Sequence, residues 1–163
     1  MWRNRTLWLV GMCGLAVSSS LVAADERTAI EGLLEAKEAA WEAADGVAWA
    51  QDYRVDSGVV NVHGMRFEGR EENARRHSEV LAGPFAGTAL AVDVERVTLL
   101  GEDHALAEAK LNITGIDAMP AGLPDTGDGR LATHMSFVLE KDTAQGWQIV
   151  FAQNTAVRSP GEH

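Results

Sequence analysis

Asn61-Val62-His63-Gly64-Met65-Arg66-Phe67-Glu68-Gly69-Arg70 is the stretch on which the reading of the fold turns. Val59 to Val62 favour a strand, and His63-Gly64 offers the positive φ angles that a two-residue hairpin needs. A short second strand then runs straight into a helix. That helix opens after Gly69 with Glu71 and Glu72, which place negative charge at the positive end of its dipole.

Toward the N-terminus, Asp25 to Asp45 has helical periodicity. Ile30, Leu33, Leu34, Trp41 and Ala44 share one side, and Glu31, Glu35, Glu38, Glu42 and Asp45 share another that reads as a solvated face. Gly46 reads as the helix stop, and Val47 to Arg54 as a short second helix carrying Trp49 and Tyr53. Toward the C-terminus, Arg70 to Ala82 is helical with Ala74, His77, Ser78 and Leu81 inward, and Gly83-Pro84 ends it. Strands follow at Thr88 to Leu100 and His104 to Ile116, the latter with Ala105, Ala107, Ala109, Leu111 and Ile113 on one face. Asp117 to Gly129 is a loop by composition, either a lid or a plain surface loop. Two more strands, Arg130 to Glu140 and Trp147 to Val157, complete the chain; Trp147, Ile149, Phe151 and Gln153 are expected on one face of the last. Helices first and long strands later predict a single α+β domain, with the helices on one face of a curved, mainly antiparallel sheet.

The first 24 residues read as an address. Arg3 and Arg5 form a positive start, Thr6 to Val17 an apolar stretch of signal-peptide length, and Val22-Ala23-Ala24 a small-residue cleavage site. Too few apolar residues precede Ser18-Ser19-Ser20 for a membrane anchor. Cys13 follows Met12, where a lipoprotein motif calls for a small residue. The expectation is therefore export, periplasmic or secreted, with cleavage after Ala24 and a domain spanning residues 25–163. Cleavage removes the only cysteine, so packing rather than disulfides has to hold the fold. It also leaves 12 Lys and Arg against 24 Asp and Glu, a formal charge of −12. Such a surface argues against nucleic acid and anionic lipid as partners.

Asp56 with Val59-Val60-Asn61-Val62 and Gly64-Met65-Arg66, then Gly69-Arg70 and His77, and finally Gly146-Trp147-Gln148-Ile149 with Asn154-Thr155, together resemble a known pattern. It is that of the nuclear transport factor 2-like (SnoaL-like) superfamily, and within it the SgcJ/EcaC group related to steroid delta-isomerases. The resemblance implies a cone-shaped domain with an internal cavity, and a homodimer formed through the outer sheet face. It leaves the function open, because the superfamily holds isomerases, dehydratases, cyclases, ligand binders and assembly modules. Gln153 stands where the group commonly has His.

On this fold an isomerase or lyase needs a carboxylate or His base and a donor to the substrate oxygen. Asp56 is the first candidate base and His77 the second; Tyr53 is the candidate donor. Trp49, Asn61, His63, Arg66, His134 and Gln153 are the candidate substrate-binding residues, with Arg66 available to an anionic group. Each has a plainer reading. Asp56 can bond amides at a strand start, His77 can be a satisfied core residue, Tyr53 can pack beside Trp49, and Arg66 can pair with Asp56 or Glu68. The expected ligand is a small hydrophobic molecule, either turned over as an apolar carbonyl compound or simply bound. No cofactor is expected, since no Gly-rich dinucleotide fingerprint occurs. No metal is expected either: His63, His77, His104 and His134 form no i, i+4 pair. Without a Gly-x-Ser-x-Gly elbow, a serine nucleophile has no support.

Overall fold

The computed structural model describes the backbone of residues 14–158 and the side chains of residues 21–158. Arg3, Arg5 and Cys13, which bear on the leader, lie outside them. Helix α1 (Gly14–Glu42) runs without a break through Ala24 and Asp25. Its buried stripe is Ile30, Leu34, Lys37, Ala40 and Trp41, at helical spacing. Among the described residues, no helix is long and apolar enough to cross a membrane.

Gly46 is not the stop of α1. The positive φ that ends the helix belongs to Ala44, at 51°. The Ala44 N–H donates to the Trp41 carbonyl and the Asp45 N–H to the Ala40 carbonyl, each at 2.9 Å, which is the Schellman pattern. Asp45 then caps α2 (Gly46–Ala50), its Oδ1 accepting from the Val47 and Ala48 amides. Gly46 is glycine because the backbone presses on the third helix; a Cβ there would lie 2.3 Å from the Ala74 carbonyl oxygen. An L-residue in the left-handed region costs about 1 kcal/mol. Ala44→Gly is therefore expected to raise stability by roughly 0.5–1 kcal/mol, read as a higher urea midpoint at unchanged m.

The second helix ends at Ala50, short of the expected Arg54. Tyr53 instead begins β1 (Tyr53–Val60), where it pairs with Ile149. Then come β2 (Arg66–Glu68), α3 (Arg70–Ala82), β3 (Ala89–Leu99), β4 (His104–Thr114), β5 (Arg130–Asp142) and β6 (Gly146–Ala156). The sheet order is β2-β1-β6-β5-β4-β3, antiparallel throughout except for the β1–β6 pair. The expected α+β architecture stands, and β4 buries Ala105, Ala107, Ala109, Leu111 and Ile113 as its alternation predicts.

Two local features depart from expectation, and both bear on the site. The hairpin is not a two-residue turn. Only Gly64 takes a positive φ, and a five-residue loop is tied by the Asn61 side chain, whose Oδ1 accepts from the His63 and Met65 amides. The second feature is a bulge in β6. Ile149 faces Leu139 but Phe151 faces Val138, so Val150 is an extra residue. Beyond it the alternation flips. Trp147 and Ile149 are buried as expected, but Ala152 then takes the inner face and Gln153 is exposed.

Candidate functional site

Between the helices and the sheet lies a cavity of about 290 Å³. Its floor is sheet: Val59 on β1, Leu111 and Ile113 on β4, Leu131, Thr133 and Met135 on β5, and Asn154 on β6. Its opposite wall is helical, from Trp41, Trp49, Arg76, His77 and Val80. The exposed lining residues His63, Met65 and Pro84 mark the mouth, between the hairpin loop and the end of α3. Pro120 also lines the cavity, so the loop at residues 117–129 forms part of its wall.

Of the candidate residues, Trp49, Asn61, His63 and His77 come together in this lining. His77 is held from two sides. Its ring stacks on Trp49, with centroids 4.4 Å apart and planes at 20°. Its Nδ1 lies 2.9 Å from the Asn73 carbonyl oxygen, an acceptor, so Nδ1 carries the proton and Nε2 keeps its lone pair. Burial pulls its imidazolium down to about 4, the Asn73 carbonyl opposing this and the nearby Lys37 charge adding to it. His77 is therefore neutral at pH 7.

That shift sets the acid stability of the fold. Below pH 6.5 the unfolded chain takes up a proton that folded His77 refuses until about pH 4. Stability is full above pH 6.5, and as pH falls toward 4 about 3 kcal/mol is lost. His77→Gln should lack this component. Urea midpoints of both proteins at pH 7 and pH 4.5 check it, and parallel pH dependences would reject it.

The other five candidates lie elsewhere. Asp56 is exposed, two residues along β1 from Arg54, which grips it at 2.7 and 2.9 Å; this pairing holds its carboxyl below the usual range. Tyr53 is fully buried in the core rather than at the mouth. Its hydroxyl is sealed from solvent, and burial raises its pKa, so it stays protonated. Arg66 is exposed, bonded to Glu68 at 2.7 Å and 5.7 Å from the Phe151 ring. His134 is exposed and lies 3.5 Å from Glu95. Gln153 is turned outward by the β6 bulge.

Three polar lining residues escaped the sequence reading as site residues: Thr133, Asn154 and Arg76. Thr133 alternates with Leu131 and Met135, a signal present in the sequence but masked by two apolar neighbours. Asn154 reaches the cavity only because of the bulge. Arg76 donates its Nε to Glu72 at 3.0 Å and lies 5.5 Å from the Phe67 ring. Among the described residues, no carboxylate lines the cavity and no group of His, Cys, Asp and Glu is arranged to hold a metal ion.

Solved structures share this architecture closely. A nuclear transport factor 2-like superfamily protein from Salmonella enterica serovar Typhimurium matches at TM-score 0.69 and 17% identity, over 86% of this chain and 96% of that one. The chain adopts the nuclear transport factor 2-like fold. A scytalone dehydratase-like protein from Novosphingobium aromaticivorans matches at TM-score 0.70 and 15% identity, over 88% and 92% of the two chains. A ketosteroid isomerase-like protein from Erwinia carotovora atroseptica matches at 0.61 and 18%, over 80% and 95%. At such identities the likeness is one of fold. No family model and no curated protein matches the chain.

Proposed function

We propose that this chain binds a small, neutral, largely apolar carbonyl compound and moves a proton on it, as a cofactor-free isomerase or lyase with His77 as base. The observation that carries this reading is the free Nε2 of a neutral, oriented His77 in the lining of an apolar cavity. A base with a pKa near 4.6 suffices for proton abstraction beside an activated carbonyl, so a value of about 4 does not disqualify it. Thr133 and Trp49 supply donors for the substrate oxygen from the same lining. Fold neighbours described as ketosteroid isomerase-like and scytalone dehydratase-like fit this class of chemistry. The SgcJ/EcaC resemblance of the sequence points the same way.

A second reading, a pocket that binds without turnover, is favoured by one observation: among the described residues, none in the lining is a carboxylate. A thermal-shift screen of small apolar ketones, followed by turnover assays on every hit, separates the two. Binding with proton exchange at the α-carbon supports the enzyme; binding without it leaves the binding module.

Export belongs to the same proposal. Leu21 and Val22 are exposed, and among the described residues the first buried core residue is Ile30, beyond the expected cleavage after Ala24. Glu26, the second residue of the cleaved chain, bonds Trp147 Nε1 at 2.7 Å. Homodimerisation through the outer sheet face completes the reading. Intact mass and sedimentation of the natively produced protein test both points.

A further inference from the structure

Three side chains in the cavity lining carry polar atoms that are sealed from solvent and have no partner: Trp49 Nε1, Thr133 Oγ1 and Asn154 Oδ1. Trp49 and Thr133 are themselves 2% and 1% exposed. Buried polar groups are almost always hydrogen-bonded, because leaving one unpaired forfeits its hydration. Three such atoms in one apolar lining are therefore an unfilled hydrogen-bonding pattern.

The pattern has a definite chemistry. An indole N–H only donates, a hydroxyl does both, and the side-chain amide offers an accepting oxygen and a donating nitrogen. Asn154 and Thr133 are diagonal neighbours on the floor, since Asn154 pairs with Met135, two residues along β5 from Thr133. A carboxylate would set its charge against the Asn154 oxygen, and the Arg76 guanidinium in the lining already gives its Nε to Glu72 at 3.0 Å and lies 5.5 Å from the Phe67 ring. A hydroxyl suits the floor: it donates to Asn154 Oδ1 and accepts from Thr133, and it would be satisfied by either end of the amide. Size agrees, since a cavity of about 150 Å³ takes one benzene ring and this one is about 290 Å³.

Resting on the reading of this cavity as a ligand site, we infer that its ligand is a neutral one- or two-ring compound bearing a hydroxyl group. The phenol, enol or alcohol oxygen binds on the Thr133–Asn154 floor.

Calorimetric titration of the full-length protein with naphthalene, 2-naphthol and 2-naphthoate tests this. 2-Naphthol is expected to bind at least tenfold tighter than naphthalene, and 2-naphthoate more weakly than either. Thr133→Val, which is nearly isosteric, and Asn154→Leu should each bring 2-naphthol down toward naphthalene while leaving naphthalene unchanged. If naphthalene and 2-naphthol bind equally, or 2-naphthoate binds tightest, the inference falls and the cavity remains a ligand site. Failure of all three to bind overturns the cavity reading along with it.

Discussion

Replacing His77 by Gln is expected to lower turnover by about 10²–10⁴-fold, the usual range for loss of a general base, while ligand affinity changes only a few-fold. Gln is close in size and retains hydrogen-bonding groups that can engage the Asn73 carbonyl, as His77 does at 2.9 Å. What it lacks is a basic nitrogen where Nε2 stands. The two effects separate because His77 meets the ligand alongside many apolar neighbours, whereas the other imidazole of the lining, His63, stands at the exposed mouth rather than beside Trp49. In the unmodified protein, kcat/KM for the free enzyme should be level above about pH 5 and fall as pH drops through about 4, where His77 protonates. A variant that keeps its rate, or an acid limb absent from the profile, would move the proton transfer off His77.

The same residue shows how much of the site was legible. His77 sits between Ala74 and Leu81 at helical spacing, so its inward aim follows from periodicity. The element order was legible for the same reason: long periodic segments and Gly-Pro punctuation survive tertiary packing. What periodicity cannot carry is a change of phase. One inserted residue, Val150, turns Gln153 outward and leaves Asn154 for the cavity, reversing what strict alternation from Trp147 implies. Asp56 and Arg54 share a face by that alternation, yet nothing in the residues said that this face is the outer one. Val47 to Arg54 reads as a short helix, and the parallel pairing with β6 that draws Tyr53 into a strand is a long-range event. Ala44 in place of a glycine at the end of α1 hid the helix stop, and the glycine two residues later serves close packing instead.

Lys37 is the residue that a polarity-based reading passes over, and its loss should cost the most stability. It falls in line with Ile30, Leu34 and Trp41 and is 2% exposed. Its Nζ donates to the Trp49 carbonyl at 2.7 Å and to Asp52 Oδ2 at 2.9 Å, and it lies 5.2 Å from the Tyr53 ring centroid. Burial pulls its pKa down while Asp52 opposes the shift, so the ammonium depends on that carboxylate. Lys37→Met keeps the length of the side chain but leaves a carbonyl and a carboxylate without their cation. Breaking a buried pair from one side costs about 3–5 kcal/mol, and because the Asp52 side chain is 26% exposed the lower end is expected. The double variant with Asp52→Asn should recover part of the loss, since no uncompensated charge then remains. The Trp49 carbonyl held by Lys37 belongs to the residue on which His77 stacks, so the cluster braces the cavity wall as well as the core. Removing the Lys37 charge also removes a repulsion that keeps His77 neutral. In Lys37→Met the His77 titration, followed by NMR, should therefore move to higher pH. An unfolding free energy from urea titration within about 1 kcal/mol of the parent, with an unmoved His77 titration, would show that the cluster neither braces the wall nor sets the base.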